Sequence, residues 1–265
     1  MDSKSIRRPR VIAHRGASGY APETTLEAYR LALEMGVDGV EMDVHRLRDG
    51  VIVAIHDPDV KRTTNGKGKI SDLTAAELKA MDAGSWFNRA FPKKSRPEYV
   101  GLKVPTLQEI IDLVKESRSR AGLYIEIKDP ERYPDIESSL LSLLCSNQLR
   151  ERACFLSFSS QSVRTIKTLD RSSRTALLVS RLIRDPVQEA LHAFADELAI
   201  RHDLATAAIV KGAHQNGLSL SVWTVDRPSD LEHMIRLGAD AIITNYPDRL
   251  YRLLGRDPKA ASLPQ

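Results

Sequence analysis

Glu41 and Asp43 stand two residues apart in GVEMDVHRLRDGVIVAIHD, residues 39–57, and His56 nearly closes that stretch. Apolar and polar residues alternate over residues 39–45, the period of a β-strand. Both carboxylates therefore leave one face, with Val40 and Met42 on the other. Asp49-Gly50 supplies a hairpin turn, because glycine tolerates the positive φ that tight turns require. The return arm, residues 51–55, brings His56 back near the acidic pair. Two carboxylates with an imidazole beside them make half of a cation site with an acid/base group next to it. An isolated E-x-D pair is most often a solvated strand edge, so the remainder of the chain has to decide.

The elements that would position these groups follow a regular alternation. A short strand over residues 11–15 ends on His14 and Arg15, and the loop 16–22 follows. Thr24, three before Glu27, reads as a capping box for a helix that Gly36 stops. After the hairpin the rhythm breaks. Residues 57–105 carry a glycine-containing loop, a second capping box at Thr74 and Glu77, and a stretch containing Pro and Lys. We read this as an insertion after the second strand, too small and too polar to fold alone.

Helices are then expected over 107–117, 136–147, 160–169, 186–193, 205–216 and 229–237, with a final helix after 244. Strands are expected over 122–128, 153–158, 175–179, 197–200, 219–225 and 241–244. Without the hairpin's return arm this is eight strands alternating with helices. That pattern predicts an α/β fold of one domain, a (β/α)8 TIM barrel spanning residues 1–265. Residues 256–265 read as a loose tail.

In such barrels the chemistry gathers at the C-terminal ends of the strands. Those ends carry His14 and Arg15, Glu41 and Asp43 with His56 on the extension, Glu126 and Lys128, Phe158, His202, and finally Trp223 and Asn245. Converging carboxylates repel one another unless a cation neutralises them, and oxygen-only ligands suit Mg²⁺ or Ca²⁺ better than zinc. Arg15 offers a planar fork to phosphate oxygens, and Lys128 adds positive charge. Two imidazoles can hold a proton each way near neutrality. Together the set fits phosphodiester cleavage, one imidazole taking a proton from the nucleophile and the other giving one to the leaving alkoxide. His202 reads as structural, His45 stays unassigned, and His192, His214 and His233 fall in helices.

Composition narrows the classes. The chain has 265 residues, 42% hydrophobic and 28% charged, with 39 basic against 35 acidic residues. Without a long basic block or an aromatic ladder (only five Phe), nucleic acid is excluded as a partner. No apolar run approaches a membrane span, so no stable membrane association is expected. The start MDSKSIRRPR lacks the apolar core of a signal peptide, and Cys145 and Cys154 read as free, buried thiols. A cytoplasmic protein is expected, and the sequence leaves a homodimer open.

Several stretches resemble one family. HRGASGYAPETTLEAY, GVEMDVHRLRDGVIVAIHD, RTTNGKG, DLTAAEL, DAGSWF, VPTLQE, YIEIK, SVWTV and TNYPD are, in that order, similar to the glycerophosphodiester phosphodiesterases, from residue 11 to about residue 250. The resemblance implies a barrel with a small insertion after its second strand and one divalent cation, Mg²⁺ or Ca²⁺. It implies His14 and His56 as the acid/base pair and Glu41, Asp43 and Glu126 as metal ligands. Arg15 and Lys128 would contact phosphate, Phe158 and Trp223 would line the substrate groove, and Glu23 would be auxiliary. The implied substrate is a small glycerophosphodiester such as glycerophosphocholine or glycerophosphoethanolamine, giving sn-glycerol 3-phosphate and an alcohol. One position departs from the family pattern: PENT is usual, and this chain has PETT, with Thr24 in the Asn place. The rival readings are a lysophospholipase D using the same site on single-chain lysophospholipids, a metal-dependent barrel aldolase or lyase, and a silent binding protein.

Overall fold

The computed structural model describes residues 8–117 and 119–256. The chain begins with β1 (Arg10–His14), α1 (Leu26–Glu34) and the hairpin β2 (Gly39–Arg46) with β3 (Ile52–Ala54). Between the hairpin and the next barrel helix lie α2 (Ala75–Ala80), α3 (Ser85–Ala90) and short 3-10 turns, among them Pro92–Lys94. The alternation resumes with α4 (Leu107–Glu116), β4 (Gly122–Ile127), α5 (Ile136–Ser146), β5 (Ala153–Ser157) and α6 (Ser160–Leu169). It ends with β6 (Arg174–Val179), α7 (Pro186–His192), β7 (Glu197–Arg201), α8 (Ala207–Gln215), β8 (Ser219–Trp223), α9 (Pro228–Leu237), β9 (Ala241–Thr244) and α10 (Pro247–Leu253).

Eight strands pair in parallel and close on themselves where β1 meets both β9 and β2. β3 lies antiparallel on the edge of β2, in the register that Asp49-Gly50 dictates. This is the expected (β/α)8 barrel. The period-2 alternation divides its strands cleanly. Val40, Met42, Val44, Ile125 and Ile127 face outward under the helices, while Ile12, Tyr124, Leu156, Leu178 and Ile243 pack inside. At the N-terminal end the interior is plugged by the buried Glu197 carboxylate, which accepts from Arg10 Nη2 at 3.0 Å and Arg174 Nη2 at 3.3 Å. Arg10 Nη1 also donates to the Tyr124 hydroxyl.

The inserted segment has a small apolar core that it shares with the hairpin. Val60, Ile70, Leu78 and Val104 pack on Leu47, Val53 and Ile55. At about 1.5–3 kcal/mol for each large aliphatic chain buried, that shared contact is what fixes so short a segment. Its helix α2 opens with the expected capping box of Thr74 and Glu77.

Two expectations are corrected. Thr24 does not cap α1. Thr25 does, accepting from the Ala28 amide, while Thr24 sits at φ 55, outside the helix. The box pattern was in the sequence one residue out of register with the turn that Pro22 and Glu23 impose. Cys145 is exposed rather than buried, because α5 turns that face outward; Cys154, inside the barrel, is buried. The expected tail beyond residue 256 lies outside the described residues, as does most of the MDSKSIRRPR start. Among the described residues no helix is long and apolar enough to cross a membrane.

Candidate active site

Parallel register assembles the acidic centre. His14 pairs with Glu41 across β1 and β2, and Asp43 pairs with Glu126 across β2 and β4. Glu41 lies level with the last residue of β1 and Asp43 with the penultimate residue of β4, all four point inward, and three carboxylates from two strands meet in the barrel mouth. Glu41, Asp43 and Glu126 each offer an oxygen within 4.8 Å of the others. Burial and the Asp43 charge push Glu126 up to about 7, and the same two causes hold Glu41 well above its usual range. Burial would raise Asp43 as well, yet the Arg15 guanidinium and the Lys128 ammonium hold it below the ordinary carboxylate range.

Both Asp43 oxygens are buried with no hydrogen bond. Arg15 Nε approaches Oδ2 at 2.9 Å and Lys128 Nζ approaches Oδ1 at 3.4 Å. These neighbours supply charge without satisfying the lone pairs. An all-oxygen set around an unsatisfied, ionised aspartate is the donor chemistry of a hard divalent cation. The residues fit one.

Each histidine is oriented by a side-chain partner, His14 by the distant Asn245 and His56 by the adjacent Asp57. Asn245 Nδ2 donates to Asp226 Oδ2 at 2.6 Å, which turns its Oδ1 toward His14 Nδ1 at 2.7 Å. Ser18 Oγ donates to the same Oδ1 at 2.6 Å. His14 Nδ1 therefore carries the proton, and Nε2 presents its lone pair toward Glu41 Oε2, 4.0 Å away. Burial and the neighbouring Arg15 push His14 down to about 4, so it is neutral near pH 7. His56 Nδ1 faces Asp57 Oδ1 at 2.6 Å, and burial is the largest cause of its downward shift. His45, unassigned from sequence, is fully buried against Tyr133 and donates from Nε2 to the His56 carbonyl at 3.2 Å. It fixes the backbone that carries His56.

Arg62 joins the two halves. Its guanidinium donates to both oxygens of Glu23 and both of Asp57, while Arg15 Nη1 donates to Glu23 Oε1 at 2.8 Å. Glu23, named from sequence as auxiliary, thus holds two arginines side by side. Lys128 follows β4 directly and donates to Glu126 Oε1 at 2.7 Å. Its Nζ lies 5.9 Å from the Phe158 ring centre, and Phe158 meets Trp223 edge to face at 5.7 Å. A small cavity between His14, Glu41, Glu126, Leu178 and Trp223 opens beside a larger one of about 530 Å³. The larger one is bounded by Phe158, Leu178, Ser180, Ile183 and Glu189.

The residues given roles from sequence, His14, Arg15, Glu23, Glu41, Asp43, His56, Glu126, Lys128, Phe158 and Trp223, therefore lie at the mouth. His202 lies outside this group, in a turn after β7. Asn245 was named at its strand end without a role, and the orienting roles of Ser18, Asp57, Arg62 and Asp226 were not foreseen. Asp57 and Arg62 stood in quoted motifs, and their charge was the available signal.

The sequence matches the glycerophosphoryl diester phosphodiesterase family over residues 14–249. It is 35% identical over 252 residues to a glycerophosphodiester phosphodiesterase of Bacillus subtilis, covering 91% of this chain and 85% of that one. It is 38% identical over 245 residues to one from Caldanaerobacter subterraneus, covering 92% and 97%. Among solved structures, an Oleispira antarctica phosphodiesterase in complex with the product sn-glycerol-3-phosphate superposes with a TM-score of 0.84 at 29% identity, covering 93% and 97%. The glycerophosphodiester phosphodiesterase of Agrobacterium tumefaciens superposes with a TM-score of 0.77 at 26% identity, covering 92% and 99%. With the family match spanning the barrel and the acidic mouth, this chain belongs to the glycerophosphoryl diester phosphodiesterase family of phosphoric diester hydrolases.

Proposed function

We propose that the enzyme hydrolyses small glycerophosphodiesters, such as glycerophosphocholine or glycerophosphoethanolamine, to sn-glycerol 3-phosphate and an alcohol. The observation that carries this reading is the cluster of Glu41, Asp43 and Glu126, with Asp43 unsatisfied, close to the oriented imidazoles of His14 and His56. Glu41, Asp43 and Glu126 would hold Mg²⁺ or Ca²⁺, which when bound supplies Lewis-acid stabilisation of negative charge on phosphoryl oxygens. Arg15 and Lys128 face the same charge, and their guanidinium and ammonium would bind the non-bridging oxygens.

His14 and His56 share the proton transfers in this reading. One accepts the proton of the nucleophile, which is either water or the glycerol hydroxyl whose cyclic phosphate water then opens, and the other gives one to the departing alkoxide. Asn245 and Asp57 keep each ring in the orientation the transfer requires, as second-sphere partners do for imidazoles generally. Phe158 and Trp223 would wall the groove, with the larger cavity beside them able to take the alcohol portion. The free thiols, one of them exposed, support a cytoplasmic setting.

The test is release of glycerol 3-phosphate from glycerophosphocholine with Mg²⁺, Ca²⁺ or EDTA, beside His14→Ala and His56→Ala. Turnover that needs the cation and falls by about 10²–10⁴-fold in either variant is expected. Undiminished turnover in EDTA, or in either folded variant, would overturn the corresponding part of the reading.

A further inference from the structure

The inserted segment grips the barrel rim at one charged point. Lys94, at the end of the 3-10 turn Pro92–Lys94, donates from Nζ to the Gly19 carbonyl at 2.5 Å and to the Tyr246 hydroxyl at 3.1 Å. The same ammonium lies 5.0 Å from the Tyr246 ring centre and 5.7 Å from those of Tyr20 and Phe91. A carbonyl, a hydroxyl and three aromatic faces around one ammonium make a strong cation site. Tyr99, also in the segment, donates its hydroxyl to the Tyr20 carbonyl at 3.1 Å.

What Lys94 holds leads to His14. The Gly19 amide donates to the Asn245 carbonyl at 2.9 Å, and Ser18 Oγ lies 2.6 Å from Asn245 Oδ1 and 2.7 Å from the His14 carbonyl, its one proton serving either acceptor. Asn245 Oδ1 is the partner of His14 Nδ1. The packing leaves no slack. A Cβ on Gly19 would lie 2.4 Å from the Tyr246 ring and 2.7 Å from the Asn245 carbonyl, so only glycine fits.

We propose that Lys94 is a positioning residue for the reaction: by clamping Gly19 against Tyr246 it sets, through Ser18 and Asn245, the orientation of the His14 imidazole. The inserted segment is then a fixed wall of the site rather than a swinging lid. The inference rests on His14 acting in proton transfer, and its first readout does not depend on that.

The first readout is the ¹⁵N resonance pair of the His14 side chain, assigned against His14→Ala, in Lys94→Met and Tyr246→Phe. Lys94→Met should weaken the Nδ1–H signature of His14, Tyr246→Phe should shift it by less, and Lys94→Arg should restore it. In turnover of glycerophosphocholine, Lys94→Met should lower kcat about tenfold with KM changed less than twofold, since a small misplacement of a reacting group costs rate before affinity. In Lys94→Ala, added propylammonium should recover part of the loss. An unchanged His14 signature in Lys94→Met, or wild-type kcat with that signature altered, would overturn the proposal. Should Lys94→Met fail to fold, an unshifted His14 signature in Tyr246→Phe and no propylammonium rescue of Lys94→Ala would do the same. Full activity in His14→Ala would instead remove the catalytic reading of His14 and leave the spectroscopic coupling intact.

Discussion

Thr24 shows how one residue can satisfy a motif by position and still carry a cost. It occupies φ 55, in the left-handed region that a β-branched residue enters only under strain. Its hydroxyl donates to the neighbouring Glu23 carbonyl rather than to a helix amide. Asparagine, usual at this place in the family pattern, visits that region readily, which gives a physical reason for the preference. Thr24→Asn should therefore stabilise the protein by about 1 kcal/mol, read as a higher midpoint in urea. A lower midpoint would show that the surrounding loop has adapted to threonine. Legibility at this scale was uneven. The charged and imidazole residues at strand ends announced themselves by type and alternation. Asn245 stood at a strand end too, but its role did not show, because its partnership with His14 spans 231 positions and leaves no local pattern. Thr25 and Thr24 are chemically alike, so only the backbone turn could say which one caps.

Among the elements, the barrel strands were readable because alternation at period 2 survives burial on both faces. The hairpin was readable from its turn. The inserted segment was less so: its helices run six residues each, too short to display a 3.6-residue period, and its fixed points are side chains bonded to backbone. Asp82 is one of these. It accepts from the amides of Gly84 and Ser85 at 2.8 and 2.9 Å and from Ser85 Oγ at 2.6 Å, opening α3. Partial burial opposes its charge, but the bonds from Ser85 and Gly84 win and hold it down to about 2. A depressed folded value means the contribution is present above the usual value of 3.8 and fades as pH falls toward 2. Asp82→Asn should accordingly cost about 1 kcal/mol at neutral pH and almost nothing near the acid limit, measured by urea unfolding at both. Equal losses at the two pH values would mean the side chain acts by shape and not by charge.

At the level of the whole molecule the two ends of the barrel are built differently. The N-terminal end closes on Glu197, held through Oε2 by Arg10 and Arg174, whereas the mouth gathers three carboxylates around one with neither oxygen hydrogen-bonded. That contrast predicts a pH signature. Glu126 rises from 4.5 to about 7 in the fold, so cation-free protein gains stability while this group is protonated and loses it as pH climbs through 7. In EDTA the melting temperature should fall between pH 5.5 and about 8. A saturating cation should remove the fall, adding about 2.7 kcal/mol at a hundredfold excess over Kd. Glu126→Gln should make the EDTA curve shallower, the raised Glu41 carrying the remainder, and lose most of the cation's effect. A wild-type curve that is flat in EDTA would separate Glu126 from both.

The barrel's seam has a further consequence for the time at which activity can arise. β1, which carries His14, is flanked by β2 and by β9, the last strand among the described residues. Asn245, directly after β9, holds the His14 ring. A ribosome that has made the first strand, the hairpin, Glu126 and Lys128 has released every proposed cation ligand and every proposed phosphate contact. The ring of His14 still lacks its Asn245 partner at that point. Only when β9 leaves the exit tunnel and zips into the seam does the imidazole acquire its direction, so the nascent chain is chemically mute until Asn245 has been made.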